Sequence, residues 1–383
     1  LSIGGYDYAK RQGLNAMFGD AVTGQRQAEI QIAWQYGQDN ITVRESTAGT
    51  GAISYADQMI NISTGSGVGS ATAQSVRRLR YQASFDGYAM FTSKFSEPQE
   101  GTAQRIGLYD DNNGFFVQYT TSGFHLVVRR GGVDRLIPMR PEFWVSTDLT
   151  KLNIWRITYA YLGTGPVVLE QYISTEAGWL VVAKYDDVGS LTEPHVAQPS
   201  LPWRAGVVRS SGSGDPVVLS SASVGCGRIG AAGDIPSGER KFSTSNEKTI
   251  SSNTLTNVIT IRVGSTFKGV DSGVEALITY FSAASDGTKS VRFKMFRNAT
   301  LGGTPNFVDI DTNGSVTSYD VDGTTVTGGR QILTAATGRS GQLSEVLSLL
   351  MDIRLEPGDD LTLAAESTGA SDVIGALTWK ELF

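Results

Sequence analysis

The sequence predicts an all-β protein made of two antiparallel, jelly-roll-like β-sandwich domains joined by a short Gly-rich linker. Three observations predict this. Apolar and polar residues alternate along many short runs, the period of a half-buried strand. Glycine is abundant and aperiodic, with 45 of 383 residues against 11 prolines, as frequent turns require. No stretch sustains the 3.6-residue apolar period long enough to make a stable helix. At 383 residues the chain is too long for one ordinary core, and two domains, or three, are expected.

The elements follow in order. Residues 1–27 keep neither period and read as an extended N-terminal arm, docked on a neighbouring subunit or folded back on its own domain. Residues 28–224 form the first sandwich, of lectin or laminin-G type. It opens with Ile30, Ile32, Trp34 and Tyr36 on one face of a strand. Strands are expected over 88–95, 104–109, 115–119, 124–129, 153–161, 167–173, 179–185, 205–209 and 217–223. The segment Asp110-Asp111-Asn112-Asn113-Gly114 turns the second of these into the third, since Asn-Gly tolerates positive φ. Residues 225–238, GCGRIGAAGDIPSG, are small and flexible and read as the linker. Residues 239–383 form a smaller jelly-roll sandwich. Asp286-Gly287 is expected to close a hairpin, and Leu349, Met351, Ile353 and Leu355 alternate before the turn at Pro357-Gly358.

Composition narrows the function. A net charge of −6 does not suit a nucleic acid partner, and the apolar runs are too short to span a bilayer. The adjacent Arg129 and Arg130, like Arg77, Arg78 and Arg80, read as charged residues guarding a sheet edge. Cys226 is the single cysteine, which rules out an intrachain disulfide, and it reads as an inert thiol. His125 sits in a strand and His195 in a loop without a recognisable partner. Glu142, Glu170 and Glu275 are available carboxylates, but nothing in their spacing opposes two across a cleft. Catalytic residues are therefore expected to be none.

One stretch matches a metal template. VDIDTNGSVTSYD places Asp309, Asp311, Asn313 and Asp320 at the first, third, fifth and twelfth positions of a calcium loop, with Gly314 at the sixth. The flanks read as strand and turn rather than helix, so a hairpin with an acidic turn is the preferred reading, with Ca2+ as the alternative cofactor. Asp110 and Asp111 allow the same choice, again in favour of a turn. Among the aromatics, Trp155 and Trp179 read as core and Trp144 as a further stacking candidate. Trp203 follows Pro202 outside any expected strand, and is the best candidate for an exposed ligand or interface residue.

Several segments taken together carry a resemblance. They are Ala16-Met17-Phe18-Gly19, SVRRLRYQASFDGYAMFTSKF from Ser75, QRIGLYDDNNGFFVQY from Gln104, STDLTKLNIWRITYAYLGTGPV from Ser146 and QPSLPWRAGVV from Gln198. Across most of residues 16–228 the chain resembles a family of virion structural proteins of tailed bacteriophages. The second domain is similar, in a general way, to the small jelly rolls that end phage fibres and spikes. The resemblance implies a non-enzymatic fibre, spike or decoration component on the head, neck or tail, located on the particle surface. It implies contacts with other virion proteins and transfers no catalytic residue. Symmetric assembly of such parts leads to the expectation of a homotrimer. A glycan-binding host-attachment adhesin is the first alternative, and a polysaccharide-degrading tailspike-type enzyme the second.

Overall fold

A computed structural model describes residues 26–83, 85–140, 147–160, 162–173, 178–229, 240–287, 289–338, 341–346 and 353–382. The described residues hold strands and no helix, and no helix is long and apolar enough to cross a membrane. The chain divides into two compact units, Leu1–Gly233 and Asp234–Phe383. Each is an antiparallel β-sandwich.

The first unit contributes sixteen strands: β1 Arg26–Ala33, β2 Val43–Gly49, β3 Ala52–Ala56, β4 Met59–Ser63, β5 Gly69–Leu79, β6 Asp86–Phe95, β7 Thr102–Tyr109 and β8 Asn113–Thr120. They continue as β9 Gly123–Arg130, β10 Val133–Pro138, β11 Asn153–Tyr159, β12 Val167–Ile173, β13 Gly178–Tyr185, β14 Leu201–Arg209, β15 Val218–Ser221 and β16 Ser223–Ile229. One sheet runs β10-β9-β8-β7-β14-β5-β2. The other runs β13-β12-β11-β6-β15-β4-β3, with β16 joining β6 to β1. Alternation decides which side chains meet between them. Ile106, Leu108, Phe115, Val117, Phe124 and Leu126 from the first sheet face Phe91, Trp155, Ile157 and Leu169 from the second. Phe124 packs on Trp155 at 5.0 Å between centroids. Without a disulfide, this buried aromatic layer is what holds the sheets together.

The second unit repeats the plan on a smaller scale. One sheet orders Lys241–Ile250, Ser371–Leu382, Glu275–Asp286 and Gln342–Val346, with Arg354–Leu355 beside the third. The facing sheet centres on Thr256–Val263, Asp360–Ser367 and Val291–Arg297. Phe281, Phe293, Leu363 and Trp379 fill the space between.

Four expectations are corrected here. Gly225–Ile229 is not linker: it lies in β16, paired with both β1 and β6, because Val224 and Cys226 alternate into the core. The rest of that segment, 230–238, lies outside the described residues, as does the arm over 1–25, while Arg26 and Gln27 already belong to β1. Tyr36 does not share the face of Ile30 and Ile32. The strand ends at Ala33, Gly37 turns the chain at φ +83°, and Tyr36 is 92% exposed. Asp286-Gly287 does not close a hairpin, because Glu275–Asp286 and Val291–Arg297 lie in opposite sheets. Leu349 and Met351 lie outside the described residues.

Candidate functional site

The open end of the first sandwich holds a cleft of about 380 Å³. β10 is the edge strand of one sheet and β13 the edge strand of the other, and the loop after Tyr185 passes between them. Gly131 and Gly132 make the tight β9–β10 turn, both at positive φ, a conformation that strains other residues. Register then pairs Val133 with Arg130 and Arg135 with Val128. Arg130 and Arg135 are thereby placed on the side of the sheet that faces the second sheet, at its open edge.

Arg135 bridges the two sheets. Its guanidinium lies 5.2 Å from the Tyr185 ring centroid and donates to the Tyr185 hydroxyl. It also donates to Asp187 Oδ2 at 2.8 Å. Burial first, and then the Asp187 carboxylate, push the Tyr185 hydroxyl up to about 12, against the pull of Arg135, so it stays a neutral donor and acceptor at neutral pH. Arg130 ties down the loop, donating to the Pro194 carbonyl at 2.5 Å and pairing with Glu193 at 2.9 Å. The imidazole of His195 stands edge-on to Tyr185 at 4.8 Å and is only 4% exposed. Its Nε2 donates to the Gly165 carbonyl at 2.9 Å, while Nδ1 is buried without a hydrogen bond. Burial holds its pKa below the ordinary imidazole value despite the Gly165 and Thr164 carbonyls, which favour the protonated ring.

The acidic groups of the cleft are already engaged. Asp134 accepts two bonds from Arg129, at 2.6 and 3.0 Å. Glu193 is paired with Arg130, and Asp187 with Arg135. What the cleft offers a ligand is an aromatic ring, guanidinium donors and backbone carbonyls, a set suited to polar, hydroxylated molecules.

No family model and no curated protein matches the chain. Solved structures similar to it are β-sandwiches. A glycosyl hydrolase family protein from Mycobacterium fortuitum shares 13% identity with a TM-score of 0.36, covering 52% of this chain and 99% of that one. The carbohydrate recognition domain of Emp46p in its potassium-bound form shares 8% with a TM-score of 0.36, covering 54% and 100%. Lectin II from Ulex europaeus shares 9% with a TM-score of 0.35, covering 53% and 99%.

The residues singled out by sequence fall elsewhere. Val308–Asp309 pairs with Thr317–Asp320 as the two arms of a hairpin. Asp311 Oδ1 accepts the backbone N–H groups of Asn313 and Gly314 at 2.9 and 3.0 Å, and Asp309 is exposed. Asp320 is fully buried, and its oxygens accept from Asn306 N at 2.6 Å, Gly323 N at 3.0 Å and Asn257 Nδ2 at 3.0 Å. These donors engage both oxygens of Asp320, and the stretch folds as the hairpin expected of it. No three His, Cys, Asp or Glu side chains among the described residues assemble as a metal site. Asp110 likewise caps its own turn, with Oδ1 accepting from Asn112 and Asn113.

Trp203 is not exposed. Strand β14 begins at Leu201, and a register shift between Pro202 and Arg204 lets Trp203 N donate to Ser75 Oγ at 3.0 Å. The indole is fully buried, 5.6 Å from Trp34. Trp155 is core as expected, but Trp179 is only half buried, capped by the Arg156 guanidinium at 4.3 Å. Trp144 and Glu142 lie outside the described residues. Glu170 is locked to Arg156 by two bonds of 2.6 and 2.8 Å, and Glu275 to Arg354 at 2.9 Å. Cys226 is buried, and burial raises its thiol pKa, so it stays protonated. His125 lies on β9, its Nδ1 3.2 Å from the Gly123 carbonyl. Arg129 is not an edge guard but a buried partner of Asp134, one strand in from the edge. Sequence reading missed Arg135 and Tyr185, which lie fifty residues apart and meet only when the sheets face each other.

Proposed function

We propose that this protein is a non-enzymatic component of a tailed-phage particle, a fibre, spike or decoration part that works by contact, and that the cleft of its first unit binds a saccharide on the host surface. The observation that carries the binding reading is the pairing of every cleft carboxylate with an arginine. Hydrolysis of a glycosidic bond needs one carboxyl free to protonate and another free to attack or activate water. Asp134, Asp187 and Glu193 are each paired with an arginine, and Glu170 is buried in its own pair. The Tyr185 ring and the Arg135 fork instead supply a stacking face and directional donors. The particle assignment rests on the segments from Ser75 to Val208 that resemble virion proteins, and homotrimeric assembly belongs with it.

The test is an array of bacterial surface glycans probed with the full chain, alongside Arg135→Ala and Tyr185→Ala. A saccharide hit weakened about tenfold or more by either substitution supports the cleft. Release of reducing sugars from host capsule or lipopolysaccharide would replace the reading with an enzymatic one. Light scattering that gives a monomer at micromolar concentration would remove the trimer.

A further inference from the structure

The seven-stranded sheet has a second face, turned away from the core, and it is not a plain solvated surface. Tyr109, Phe116 and Val127 form a small buried cluster there, separate from the main core. Two guanidiniums roof it. Arg129 lies 4.9 Å from the Phe116 centroid and Arg204 5.4 Å from that of Tyr109. Both cations are neutralised, Arg129 by Asp134 and Arg204 by Asp111 at 2.6 Å.

Arg105 shares this face of β7 with Tyr109 and is not neutralised. Its Nε donates to Gln118 Oε1 at 2.7 Å, and Gln118 is an uncharged partner. Its two terminal amino groups have no partner among the described residues. Burial above all, with the like charges of Arg129 and Arg204, holds its pKa below the ordinary guanidinium value, against Tyr109 and Asp134. It nevertheless stays charged at neutral pH. A half-buried cation with no carboxylate bonded to it can take an incoming anion.

Register sets a row of donors across five strands. Thr72 pairs with Gly206, Gly206 with Arg105, Arg105 with Gln118, and Gln118 with His125. The row contains no carboxylate. At roughly 4.8 Å per strand it spans about 19 Å, the length of a short oligosaccharide. Gly206 leaves room at its middle for the hydroxyls of Thr72 and Tyr109. A Cβ there would meet Thr72 Oγ1 at 3.1 Å and the Tyr109 hydroxyl at 3.4 Å.

We infer that this row is an anion-selective saccharide site, in which the terminal amino groups of Arg105 take one carboxylate of an acidic oligosaccharide, while Thr72, Gln118 and His125 take neighbouring hydroxyls. One guanidinium in the row, on a chain of net charge −6, fits one sugar carboxylate, not the run of phosphates in a nucleic acid. None of the row's five residues lines the cleft, and the inference does not depend on the cleft reading.

The experiment is titration calorimetry of the full chain, at low salt and pH 7, with trigalacturonate and with its methyl ester, which differ only in charge. The acid binds, the ester binds about tenfold or more weakly, Arg105→Gln lowers the affinity for the acid by a similar factor, and Arg105→Lys falls between. Thermal melts establish that each variant is folded, and the acid-against-ester comparison on the unaltered chain stands even if one is not. Equal binding of acid and ester, or no heat from the acid at millimolar concentration, overturns the inference. So does an Arg105→Gln variant that binds as the parent does. A loss seen with Arg135→Ala but not with Arg105→Gln assigns the acid to the cleft and also overturns it, leaving the cleft reading intact.

Discussion

At the residue scale, His195 shows how burial turns an unremarkable side chain into a pH-dependent one. In the unfolded chain its pKa is about 6.5. In the fold, desolvation lowers it, since the neutral ring costs less to bury than the charged one. Between the two values the unfolded state binds more protons, so stability rises with pH across that window. The contribution is fully present above about pH 6.5 and is lost as pH falls toward the folded value. Urea midpoints of the first unit should therefore decline from pH 7.5 to pH 5, and His195→Gln should flatten the decline. An equal decline in that variant would put the effect elsewhere. The same scale accounts for two tryptophans whose surroundings differ from their sequence pattern. Pro202 argued against a strand at Trp203, but a bulge accommodates it and carries the indole inward. Trp179 alternates like a core residue, but β13 is an edge strand, so its ring meets Arg156 and solvent instead.

At the element scale, the acidic stretch from Asp309 to Asp320 is a hairpin whose stability resides in Asp320. That carboxylate satisfies three backbone N–H groups, of Asn306, Asp322 and Gly323, and the Asn257 amide inside the fold. Asp320→Ala would leave these donors buried and unpaired, and should cost about 3 kcal/mol of stability in the second unit. A chelator should leave the melting temperature unchanged, and a calcium-dependent rise would restore the metal reading. Turn chemistry was readable where it is local. Asp110 to Gly114 does join β7 to β8, because Asp110 caps the turn with its own side chain. Asp286-Gly287 shows the limit. A turn signal states that the chain reverses, but not whether the next strand pairs with the last or crosses to the facing sheet. Here it crosses, since Val291, Phe293 and Met295 pack into the core from the opposite side.

At the scale of the whole molecule, the two units have separate cores, with no residue common to both. Calorimetry of the full chain should accordingly resolve two transitions. Trp203→Ala should move only one of them, since truncating a buried aromatic costs about 3–5 kcal/mol within its own core. Coincident shifts of both would mean that the units fold as one.

The sequence by itself determined the all-β class, two separate β-rich regions and the positions of many strands. Period-two alternation and turn residues are local properties, written in neighbouring positions. Only the tertiary structure decided which strands face each other, and with that the cleft and the donor row. Arg135 meets Tyr185, and Arg105 lines up with Thr72 and His125, through pairings between strands distant in the chain. Local patterning specifies which way a side chain points from its strand. It does not specify what stands opposite, because that depends on sheet order and register, which are settled by packing the whole core.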